Sequence, residues 1–99
     1  MTTTIQEQDG QRVVYFEGRL DTAAAPKTEQ ELLPLHACSE DITLDCTKLE
    51  YISSSGLRLF LGLLKAVKPK GNHLYITGMN ADLKQVFSMT GFTSLFEFK

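Results

Sequence analysis

Asp9 and Gly10, with the pattern that follows them, restrict the fold more than anything else in the chain. Both positions tolerate positive φ, so "DG" between "TTTIQEQ" and "RVVYFEG" is the signature of a two-residue β-hairpin. The second run holds β-branched and aromatic residues at its centre, and the first alternates as an edge strand does. Beyond the hairpin, segments of helix and strand character alternate almost to the last residue. Such alternation requires a largely parallel sheet with right-handed crossovers.

The alternation reads as follows. Thr22, the alanines 23–25 and Pro26 approach a first helix; proline fits the first turn, where its missing N–H costs nothing. Leu32, Leu33 and Leu35 supply its apolar stripe, and Pro34 distorts or ends it. "DITLDC" is a short buried strand, and "TKLEYI" a loop with one more apolar anchor. A helix spans 55–67, "PKGN" breaks it, and "HLYIT" is a strand. Asn80 caps a helix over 81–90, with Asp82 in its first turn and Gly91 past its end. "SLFEF" is the last strand. The expected fold is α/β, in the order β-β-α-β-α-β-α-β: a mixed, largely parallel sheet of about five strands with an N-terminal antiparallel hairpin and three helices. Residues 1–99 suit one domain, a size at which a core forms without disulfides or metal.

Composition removes several functions. A net charge of −2, with lysines and arginines scattered, gives no basic face for nucleic acid. Cys38 and Cys46 form no CxxC, and only His36 and His73 could join them, so no metal site or cofactor is expected. The N-terminus is polar, unlike a signal or transit peptide. The apolar-rich stretch 57–67 is too short to span a bilayer and carries Arg58 and Lys65. A cytoplasmic protein that binds no membrane is expected.

Three serines, Ser53 to Ser55, stand between two apolar segments. The first N–H groups of a helix lack partners within it, and a serine side chain accepts from one of them. At least one serine is therefore explained as a cap. The helix that follows is unusually apolar. At 100° per residue, Leu57, Phe60, Leu61, Leu64 and Val67 share the face expected to meet the sheet, while Leu59, Leu63 and Ala66 form a second stripe. That second stripe either packs under a neighbouring helix or continues onto the surface as a binding patch. A helix N-terminus also favours negative charge by ~0.3–2 kcal/mol, so a phosphoserine there would be tolerated.

Catalysis by one of these serines would need a base within reach. Neither His36 nor His73 is placed near Ser54 by any motif. A G-x-S-x-G elbow is missing, because Ile52 occupies its first glycine position. No phosphate-binding G-x-x-x-x-G-K-[S/T] loop is present. No catalytic residue, and no enzyme, is expected.

The stretch "LDCTKLEYISSSGLRLFLGLLKAVKPKGNHLYITGMNADLKQVFSMTGF", with "FEGRLDTAAAP" upstream, resembles the STAS domain of bacterial anti-sigma factor antagonists. In that family Asp-Ser-Ser/Thr-Gly-Leu opens a helix; "SSSGL" holds that place here, "GRLD" matches the family's G-x-L-D turn, and "MTGF" its ending. The resemblance covers nearly the whole chain. It implies a protein that regulates transcription by binding an anti-sigma factor, itself a serine kinase of the GHKL type. That kinase switches the antagonist off by phosphorylation, and a PP2C-type phosphatase resets it. Carried over residue by residue, the phosphoacceptor is Ser54. Its neighbours are Ser53, Ser55, Gly56 and Asp21, and the partner surface is expected on Leu57, Arg58, Leu59 and Leu63.

Ser53 stands where the family usually has Asp. The lost carboxylate weakens kinase recognition or changes the cap. The alternative is a STAS module that is not phosphorylated and serves as a constitutive subunit of a larger regulatory or transport complex. The chain also stops at Lys99, just after the last strand, where many family members continue with a helix. Apolar surface is therefore expected there for a partner or a second copy to cover, as in a weak homodimer.

Overall fold

The computed structural model describes all 99 residues. Strands β1 (Thr2–Gln8) and β2 (Gln11–Leu20) form the hairpin, in antiparallel register from Thr2 opposite Glu17 to Gln8 opposite Gln11. Asp9 and Gly10 both take positive φ, 51° and 76°, as the tight turn requires. Next come α1 (Ala25–Leu32), β3 (Ile42–Ile52), α2 (Ser54–Val67), β4 (Leu74–Thr77), α3 (Ala81–Met89) and β5 (Glu97–Phe98). The sheet order is β1-β2-β3-β4-β5, and every pair after the hairpin is parallel.

Alternate residues of the strands, Val14 and Phe16, Ile42 and Leu44, Leu74 and Ile76, enter one buried cluster. Leu32, Phe60, Leu63, Val67, Leu83 and Phe87 join it from the helices. The helices thus cover one face of the sheet. Phe60 sits at the centre, its ring 5.3 Å from Phe16 and 6.2 Å from Phe87.

Three segments depart from the sequence reading. "TKLEYI" is not a loop: β3 runs unbroken to Ile52. It holds one extra residue relative to β2 between Tyr15 and Glu17, and another between Gly18 and Arg19. Its buried residues therefore recur as Cys46, Leu49 and Ile52, every third position, and the period-two signal of a strand is erased. "SLFEF" pairs only through Glu97 and Phe98, since Phe92–Ser94 form a 3₁₀ turn. Leu33 is 46% exposed, because α1 gives way at Pro34 to a 3₁₀ turn over Leu33–Ala37 that buries Leu35 instead.

The fourth departure decides the site. The buried arc of α2 is Gly56, Leu57, Phe60, Leu63 and Val67, whereas Leu61 and Leu64 are only half-buried. Relative to the expected orientation the helix is turned by roughly 50° about its axis, counting 100° per residue. Gly56 is the cause. A Cβ built there would lie 2.8 Å from both Leu20 Cγ and Ile52 Cγ1, so only glycine lets the first turn settle onto the ends of β2 and β3. That contact brings the Gly56–Phe60–Leu63–Val67 line against the sheet.

Candidate functional site

Parallel strands β2 and β3 finish together, with Leu20 opposite Ile52. The chain then leaves the sheet twice, side by side: as the Asp21 turn toward α1 and as the serines opening α2. Ser53 binds the two exits, its N–H donating to the Leu20 carbonyl at 2.9 Å. Its backbone is extended (φ −88°, ψ 172°), and its Oγ accepts from the Gly56 N–H at 3.2 Å. Ser53 is thus the N-cap, and it is buried.

Ser54, the first helical residue, is exposed, and Ser55 is half-buried. Each serine therefore has a separate situation: cap, surface hydroxyl and groove wall. Asp21 is half-buried, and its carboxylate serves its own turn, Oδ1 accepting from the Ala24 N–H at 2.9 Å. The first turn of α2 carries no acidic residue.

Along α2 the expected partner surface is divided. Arg58 is exposed and Leu59 half-buried, but Leu57 and Leu63 are core, 2% and 0% exposed. Leu57 lies on the face already expected to meet the sheet, and the rotation of α2 brings Leu63 inward as well, so neither belongs to the surface. What lies outward is a groove between α1 and α2. A cavity of about 440 Å³ is lined by Thr22, Pro26, Glu29, Ser55, Arg58 and Leu59. A second, of about 220 Å³, continues it past Leu33, His36 and Gly62.

Two features of this end of the molecule escaped the sequence reading. Leu33 replaces Leu63 as the exposed leucine of the groove; only the break at Pro34 hints at it. On the opposite side of the strand ends, the Arg19 guanidinium lies 4.5 Å from the centroid of the Tyr51 ring, and Tyr51 is 39% exposed. A segment taken for a loop gives no face on which to place Tyr51. Elsewhere, His73 Nδ1 is 2.8 Å from Glu97 Oε2, while His36 lines the groove. No group of three His, Cys, Asp or Glu side chains is arranged to hold a metal. No helix is long and apolar enough to cross a membrane.

The family model of the STAS domain matches residues 2–99. The chain belongs to the STAS domain family. An anti-sigma-B factor antagonist of Staphylococcus aureus is 35% identical over 95 residues, which cover 95% of this STAS chain and 85% of that protein. An anti-sigma-B factor antagonist of Listeria monocytogenes is 31% identical over 98 residues, covering 96% and 85%. Among solved structures, a STAS-domain anti-sigma-factor antagonist of Planctomyces limnophilus superposes with a TM-score of 0.91 at 14% identity, over 97% of this chain and 87% of that one. At that identity the likeness shows the fold: the same five-stranded mixed sheet and its helices.

Proposed function

We propose that this STAS domain is an anti-sigma factor antagonist, switched by phosphorylation of Ser54. In this reading the unmodified domain binds an anti-sigma factor of the GHKL-type serine kinase class and frees its sigma factor. Phosphate from that kinase ends the binding, and a PP2C-type phosphatase restores it. One observation carries the proposal: of three adjacent serines, only Ser54 is exposed at the helix start, while Ser53 is held as the cap. The names of the Staphylococcus and Listeria relatives support an anti-sigma factor as the partner. A phosphate at the start of α2 meets unpaired N–H groups and the positive end of the helix, so the fold would accept it. Its charge and hydration would instead oppose contacts at Leu59 and Arg58.

The test is incubation with the cognate anti-sigma kinase and ATP, then mass spectrometry and a binding titration. Phosphate on Ser54 and at least about tenfold weaker binding, about 1.4 kcal/mol, are expected. Phosphate on Ser53 or Ser55 would show the acceptor to be misplaced.

A second reading, a constitutive binding module, draws support from Ser53. A hydroxyl caps the helix where the family usually places a carboxylate, so the acidic neighbour of the acceptor is missing. Tight binding to the kinase without any phosphate transfer would select that reading.

A further inference from the structure

Ser54 and Arg58 stand four residues apart on the outer side of α2, and both are exposed. Arg58 makes no ion pair: the pairs in this domain are Arg12 with Glu7 and with Glu40, and His73 with Glu97. Two carboxylates belong to the neighbouring segments. Asp21 is turned onto the Ala24 N–H. Glu29 of α1 lines the same groove as Arg58 but forms no ion pair with it.

Helix geometry directs this free cation. Residues at i and i+4 have Cβ atoms about 5–6 Å apart. Side chains on a helix lean toward its N-terminus, which for Arg58 is the turn that Ser54 begins. An anion N-terminal to a cation at this spacing is the favourable order.

We propose that Arg58 is the intramolecular receptor of a phosphate on Ser54, so that phosphorylation removes a cation from the surface as well as adding an anion. The inference rests on the reading of Ser54 as the acceptor. In the transfer, Ser54 Oγ bonds to the γ-phosphorus of ATP. The bond from that phosphorus to the bridging oxygen of ADP breaks, and the hydroxyl proton passes to a base of the kinase. The product brings ~1.5–2 negative charges and three acceptor oxygens. A guanidinium meets such a group with two parallel N–H donors, which a point charge cannot do. Glu29 offers one charge from another helix and competes poorly with a dianion on the same helix. The unmodified domain therefore presents a free guanidinium beside a neutral hydroxyl, and the modified one presents a closed ion pair.

The experiment needs no kinase. Phosphoserine is placed at 54 by genetically encoded incorporation, and its second ionisation is followed by phosphorus NMR. It is expected about 0.2–0.4 pH unit lower in the parent than in Arg58→Gln, with Arg58→Lys between them. The difference should collapse in about 1 M salt. The helix terminus acts on all three alike and cancels. Arg58 is exposed, so the variants should fold, as circular dichroism checks. Equal ionisation in the parent and Arg58→Gln overturns the inference, whatever the kinase does. Mass spectrometry placing the kinase's phosphate on another serine instead sinks the acceptor reading and leaves the NMR result standing.

Discussion

The backbone N–H of Ser53 donates to the carbonyl of Leu20 at 2.9 Å, tying the start of α2 to the last residue of β2. Through this bond the turn holding Asp21 and the helix opened by Ser54 emerge at one place, although 32 residues separate Leu20 from Ile52, its opposite number in β3.

Gly56→Ala should be the most costly small change at the site. The new methyl would meet Leu20 and Ile52 at 2.8 Å, and neither can retreat within a packed core. Overpacking of this kind costs about 1–3 kcal/mol. A urea titration reads the loss, and an unchanged midpoint would mean that the helix can lift from the sheet freely.

Ser53→Ala removes the acceptor for the Gly56 N–H and should cost about 1 kcal/mol. Ser53→Asp keeps a cap and adds a charge that the helix start favours, so its stability should match or exceed that of the parent. Thermal melts of both variants check the sign. Equal losses in the two would show that the hydroxyl's other surroundings, and not the cap, hold Ser53.

Leu63→Asp and Leu33→Asp should behave oppositely. Leu63 is wholly buried, so a carboxylate there faces an apolar core without a partner, and the domain should fail to fold. Leu33 is largely exposed beside the groove, and its replacement should change stability by no more than about 0.5 kcal/mol. If the α1–α2 groove receives the anti-sigma factor, Leu33→Asp should weaken that binding. A normal affinity would place the contact elsewhere.

Burial lifts the Cys46 thiol from 9.0 to about 12, helped by the charge of Asp45. The unfolded chain loses this proton first on raising the pH, so the unfolded state binds fewer protons between those values. The thiol's contribution to stability should be fully present below pH 9.0 and be lost progressively toward about pH 12. The comparison is with Cys46→Val, whose stability should fall less steeply. An aromatic disulfide reagent at neutral pH should modify half-buried Cys38 long before Cys46.

Local chemistry was legible in the residues themselves. Asp9–Gly10 can turn a hairpin, Pro26 can open α1, Asn80 can cap α3 through its 2.8 Å bond to the Leu83 N–H, and a serine can cap α2. Each depends on a residue and its nearest neighbours, so each was readable before any fold was known. The serine and glycine spacing likewise marked the site, because capping works within one helical turn.

The face of α2, the length of β3 and the identity of the exposed leucine were decided only by tertiary structure. Leu59 and Leu63 are the same residue type one turn apart. Periodicity says that they lie along one side of the helix but not how that side meets the sheet. The close approach of Gly56 to Leu20 and Ile52 fixes that rotation, drawing Leu63 into the core and leaving Leu59 at the groove. The bulges of β3 similarly exist only in register with β2, and they hide a strand whose residues alone do not alternate. Sequence set what each segment was able to form; contacts between distant segments chose which surface each one buried.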